Sequence, residues 1–140
     1  MIMLKSLLER IPIEFPKRFL YHGTFRAFLP SIKKRGLLPL GGNEAGNYKF
    51  EMLYGVYLTD LPSSAGYFAE MAQTENEKIP EEWLDEKAIL TINIRKLDKS
   101  KFEEPYVYDK QNIFLYKDAI PPTAIVNVEY TNRWGNKLDL

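Results

Sequence analysis

Between Lys87 and Arg95 the residues alternate as only a strand accommodates. Ala88, Leu90, Ile92 and Ile94 fall on one side, and Ile89, Thr91 and Asn93 on the other. Successive strand residues point to opposite faces, so this stretch presents a wholly apolar face that must be covered. It commits the chain to a sheet with a core. Four shorter runs supply partners: Phe19 to His22, ended by Gly23; Val56 to Thr59; Asn112 to Tyr116; and Ala124 to Thr131, with Ile125, Val126 and Val128 as its apolar contributors. Leu4, Leu7 and Leu8 stand at helical spacing, which predicts a short helix over 3–10 before Pro12 and Pro16. A second helix is expected over 26–35. Phe28, Leu29 and Ile32 form its stripe, Lys33-Lys34-Arg35 complement its dipole, and Gly36 terminates it. A third covers 62–72. Strands with a few short helices predict an α+β class. At 140 residues with 45% hydrophobic content, the chain reads as one domain, 1–140, with 1–18 as N-terminal helix and lead-in.

Composition removes several function classes. Lysine plus arginine and aspartate plus glutamate both number 19, so no general field draws the chain to nucleic acid. There is no cysteine, which excludes disulfides and thiolate metal sites, and the single histidine excludes a multi-histidine zinc cluster. No metal is expected. No run approaches the roughly 20 apolar residues of a membrane span, and the first ten residues are too short and charged for a secretory signal. The expectation is a cytoplasmic protein with no membrane partner. Leu97 to Asp109 reads as a connection, Gly41 to Asn47 as a mobile loop, and Gln73 to Glu86 as a polar surface excursion anchored by Trp83.

Function concentrates around Gly55 to Phe68. A short buried strand, Val56 to Thr59, is broken by Asp60 and Pro62. Ser63-Ser64 then stand where hydroxyls satisfy the amides of a helix start. Such a junction sets strand-end side chains, here Tyr57, beside a helix carrying Tyr67. Read singly, these residues are bland: His22 satisfies a turn, Tyr57 packs in a core, and Ser64 begins a helix.

Read together, they resemble the ADP-ribosyltransferase superfamily. Tyr21-His22-Gly23-Thr24, followed by Leu29, Ile32 and Gly36-Leu37, is similar to its first block. Gly55-Val56-Tyr57-Leu58-Thr59-Asp60, then Ser64-Ala65-Gly66-Tyr67, resembles the second block of the poly(ADP-ribose) polymerase branch with one residue deleted near Pro62. Gln111 to Pro121 is closer to the ending of the RNA 2′-phosphotransferases, which share the fold. The likeness spans roughly residues 19–130. It implies an α+β, ADP-ribosyltransferase-like split two-sheet core with NAD in a cleft between the sheets.

The resemblance also implies site residues. His22 and Tyr57 match the histidine and tyrosine of the first two catalytic strands. The third strand of the family usually carries a glutamate. Counting back from Ile120 reaches Gln111, anchoring on Tyr116 reaches Asn112, and Asp118 is a further competitor. Gln111 is taken as the third catalytic residue. Gly23 and Thr24 are expected beside the nicotinamide, with Gly23 letting the backbone approach the carboxamide. Tyr57 and Tyr67 would sandwich the ring, at about 0.5–1.5 kcal/mol per stacked pair, and Ser64 would bond its amide.

The implied activity is NAD-dependent mono-ADP-ribosyl transfer or NAD hydrolysis, NAD being a substrate, in a toxin-like effector. The neutral charge favours a protein acceptor, with nucleic acid left open, and the oligomeric state is not legible. The amide at the third position points to slow turnover, a substrate-supplied nucleophile or binding without chemistry. Two alternatives follow. One is RNA 2′-phosphotransfer, with Arg18, Arg26, Lys33 and Arg35 as scattered phosphate ligands. The other is a non-catalytic module for NAD or ADP-ribose.

Overall fold

The structure is a computed structural model that describes residues 18–44, 54–75 and 78–138. The helix expected over 3–10 lies outside the described residues. Six strands form one antiparallel sheet: β1 (Phe19–Phe25), β2 (Val56–Thr59), β3 (Lys87–Asn93), β4 (Tyr106–Tyr108), β5 (Gln111–Tyr116) and β6 (Ile125–Thr131). Their order across the sheet is β4-β5-β2-β1-β3-β6. Among the described residues two helices accompany them, α1 (Leu29–Arg35) and α2 (Pro62–Glu75), with short 3-10 turns between elements. The class is α+β, as the sequence predicts.

The sheet is two ladders joined by a thin seam. β1 pairs with β3 along its whole length, from Phe19↔Asn93 to Phe25↔Lys87, and β3 continues into β6. β2 pairs with β5 from Val56↔Tyr116 to Thr59↔Ile113, and β5 with β4. Between these ladders, β1 and β2 share a single register pair, Tyr21↔Thr59.

Both faces of the sheet are covered. On one, Leu20, Leu58, Leu90, Ile92, Phe114 and Tyr116 pack with Leu29 and Ile32 of α1, and with Leu37 and Ile120. Gly36 ends α1 at φ 78°, and its amide returns to the Ile32 carbonyl at 2.8 Å, the terminator expected from sequence. On the other face, Phe25 and Ala69 meet Ile79 and Leu84, with Trp83 set edge-on to Phe28 at 5.5 Å. Trp83 thus anchors the polar excursion, as expected.

Several boundaries move. Gly23 does not stop β1 but lies within it, because α2 crosses there: a Cβ on Gly23 would stand 1.9 Å from the Ala65 carbonyl oxygen. The missing side chain makes room for the helix. The connection from Leu97 to Asp109 contains β4, whose three residues are all exposed and so leave no alternation to read. Val126 is half exposed, not a core contributor. The third helix runs three residues past the predicted end, to Glu75.

Candidate functional site

Where β1 and β2 part, a cavity of about 300 Å³ opens between the two ladders and α2. Its lining includes His22 from β1, Tyr57 and Thr59 from β2, Phe68 and Met71 from α2, Tyr106 and Tyr108 from β4, and Glu44 from the turn after Pro39–Gly41. His22 and Tyr57, from separate blocks of sequence, therefore meet in one cavity.

The His22 ring sits in the seam. Extending the register from Tyr21↔Thr59 would set Gly23 opposite Tyr57. Instead the His22 Nδ1–H donates to the Tyr57 carbonyl at 2.8 Å. A carbonyl only accepts, so this bond fixes the proton on Nδ1. The other nitrogen, Nε2, faces both carboxylate oxygens of Glu44, at 3.0 and 2.9 Å. A carboxylate also only accepts, so a proton lies between Nε2 and Glu44, making either an imidazolium–carboxylate pair or a neutral pair. Burial pulls the His22 pKa down. The charge of Glu44, its hydrogen bond and the Tyr57 carbonyl together outweigh that and raise it above the usual value. The Glu44 side chain is 5% exposed.

The remaining expected residues divide. Gly23 lines the cavity, although its bare Cα faces α2 as well. Thr24 does not: it is buried, 2% exposed, and its hydroxyl has no hydrogen-bond partner among the described residues. It stands on the same alternating side of β1 as His22, two residues further along and outside the lining. Ser64 lies in the first turn of α2, buried and outside the cavity lining. Its hydroxyl donates to the Gln111 side-chain carbonyl, tying α2 to β5. Tyr67 is one position out of phase. Phe68 lines the cavity, while the Tyr67 hydroxyl donates to Asp109 and its ring lies edge-on to Phe68 at 5.2 Å. Tyr67 therefore stands outside the lining to which Tyr57 contributes, and the expected sandwich has Phe68 in its place as the α2 ring of the cavity.

The third-strand candidates all lie outside the lining. Gln111 is held by Ser64. Asn112 alternates to the other face and donates to Asp60 at 3.0 Å. Asp118 pairs with Lys101 at 2.6 Å and accepts from its neighbour's amide, Ala119 N.

Sequence reasoning missed Glu44, Phe68, Tyr106 and Tyr108. Phe68 was legible as the alternative to its neighbour, and the tyrosines by their density. Glu44 carried no signal, being a lone carboxylate in a glycine-rich segment. Tyr106 has a raised pKa, from burial first and then from the charge and hydrogen bond of Tyr57. This links β4 to β2 across the cavity. Among the described residues no group of three or more His, Cys, Asp or Glu is placed to hold a metal, and no helix is long and apolar enough to cross a membrane. Neither a protein-family model nor a curated protein matches the sequence.

Proposed function

We propose that the cavity binds the nicotinamide–ribosyl end of NAD, and that the protein cleaves that bond and passes ADP-ribose to an acceptor or to water. The observation that carries this reading is the convergence of His22 and Tyr57 on one cavity at a seam between two three-stranded ladders. The resemblance to ADP-ribosyltransferases implies that these two residues share a cleft between two sheets; here the cleft lies between two ladders of a single sheet. The cavity chemistry fits this end of the ligand. Flat rings of Tyr57, Phe68, Tyr106 and Tyr108 suit a flat heteroaromatic ring, and the His22–Glu44 pair suits sugar hydroxyls. At about 300 Å³ the space suits a nicotinamide riboside better than the whole dinucleotide. The adenosine and pyrophosphate would extend beyond it.

In the reaction, the bond between the nicotinamide nitrogen and ribose C1′ breaks and both electrons leave with the nitrogen. The positively charged ring departs neutral, and C1′ becomes electron-poor. The acceptor oxygen then bonds C1′ and gives up its proton to a base.

A second reading, binding without cleavage, draws support from Gln111, an uncharged side chain already committed to Ser64. RNA 2′-phosphotransfer draws less. Arg26 lies over Tyr130, Arg18 lies over Phe19, and neither these nor Lys33 and Arg35 line the cavity. The deciding experiment incubates the protein with NAD and measures nicotinamide over time, alongside calorimetric binding. Release that disappears in His22→Ala supports the enzyme. Saturable binding without release supports the module, and absence of both removes the assignment.

A further inference from the structure

We infer that Glu44, not a residue of β5, is the acidic group of this cavity, the one that accepts from the ligand's sugar hydroxyls, and that His22 is its positioning residue. The inference rests on the proposed reading of the cavity as a nicotinamide–ribosyl site and deepens it. Glu44 is the sole carboxylate among the described lining residues. It is nearly withdrawn from solvent, yet it is not consumed by its partner. A carboxylate offers about four lone-pair sites. With the shared proton on Nε2, that N–H reaches one on each oxygen at 3.0 and 2.9 Å, and among the described residues the others remain for a ligand.

His22 has no such reserve. Its Nδ1–H is spent on Tyr57 and its Nε2 faces Glu44, so no ring nitrogen remains to read a hydroxyl while Glu44 is in place. The imidazole instead locks the carboxylate in one orientation, and the seam between β1 and β2 locks the imidazole.

The chemistry of the ligand follows from this geometry. A buried carboxylate beside aromatic walls accepts hydrogen bonds and repels anions. It therefore selects a hydroxyl-bearing sugar joined to a flat, positively charged or electron-poor ring, the description of a nicotinamide ribosyl group. It disfavours a phosphate at the same spot. During cleavage the same carboxylate lies near the carbon that becomes electron-poor. It then takes the proton released when the acceptor oxygen bonds C1′, which completes the proton balance.

The test compares wild type with Glu44→Gln, nearly isosteric, and Glu44→Asp, which keeps the charge. Three readouts are taken: calorimetric binding of nicotinamide riboside and of free nicotinamide, nicotinamide release from NAD, and NMR titration of the His22 ring. Circular dichroism verifies folding. In Glu44→Gln, affinity for the riboside is expected to fall about tenfold or more while affinity for nicotinamide is unchanged. Nicotinamide release should fall by about 10²-fold or more, and the His22 pKa should drop. Glu44→Asp should recover part of each.

Riboside binding equal to or tighter than wild type in Glu44→Gln would overturn the assignment and mark Glu44 as an obstruction. So would an unmoved His22 titration, or a wild-type protein that binds neither probe. If wild type binds the riboside without releasing nicotinamide from NAD, the proposed reaction fails. A selective loss of riboside binding in Glu44→Gln would then still support this assignment. If release persists at the wild-type rate in Glu44→Gln, the reaction stands and the role of Glu44 falls.

Discussion

The charge of one imidazole is set by two neighbours that each accept from a ring nitrogen. The Tyr57 carbonyl demands an N–H at Nδ1, and Glu44 makes protonation at Nε2 favourable. The folded-state pKa of His22 is therefore raised above the roughly 6.5 of an unfolded chain. A raised pKa means the folded state holds the proton more tightly. Its stabilisation is complete below about pH 6.5 and is lost as pH climbs through the folded value. Wild type should thus lose urea stability relative to Glu44→Gln as pH rises from about 6 to 8. A gap that is constant or widens across that range contradicts the assigned proton. Asp118 supplies the contrast at the same scale. Its salt bridge to Lys101 is half exposed and neither residue lines the cavity, so Asp118→Asn should leave nicotinamide release unchanged.

Among the elements, α2 decides the shape of the site, and two contacts fix it. Its first turn crosses β1 at Gly23, where a methyl group would stand 1.9 Å from the Ala65 carbonyl oxygen. Backbone cannot retreat as a flexible side-chain tip does. Gly23→Ala should therefore cost at least the upper end of about 1–3 kcal/mol, read by chemical denaturation. Had Gly23 served only to admit a ligand, stability would hold and binding alone would fail. The second contact is Ser64 to Gln111. Ser64→Ala leaves a partly buried amide oxygen without its donor, which should cost about 1–3 kcal/mol in the same assay. Wild-type stability in that variant would mean that solvent replaces the hydroxyl at no penalty.

The strands that announced themselves were those with a wholly apolar buried face. β3 was legible because Ala88, Leu90 and Ile92 enter a core. β4 was not, because Tyr106, Val107 and Tyr108 are paired only to β5 and stay exposed. The same physics limited the site. His22 and Tyr57 stood in recognisable strand contexts. Gln111 stood one residue before the strand read over Asn112 to Tyr116, and nothing local showed what it bonds. Glu44 gained its importance only through a contact 22 positions away in sequence, which no local pattern encodes.

At the scale of the whole molecule, stability and site compete for the same seam. Every strand pair except one has an extended ladder, and the exception, β1 with β2, is where the cavity opens. Closing that ladder would satisfy more backbone groups but would fill the cleft. Holding it open leaves His22 to bond a carbonyl that a strand would otherwise engage. The two ladders should consequently differ in hydrogen exchange. Amides of β3, paired on both sides to β1 and β6, should be the slowest in the protein. Those of β2 that face β1, and all of β4 at the sheet edge, should exchange substantially faster. Binding nicotinamide riboside should slow β2 and β4 selectively, because the ligand bridges the walls these strands supply, and β3 should change little. Uniform protection across β1, β2 and β3 in the free protein would mean that the seam is closed in solution. The cleft, and the function argued from it, would then have no physical basis.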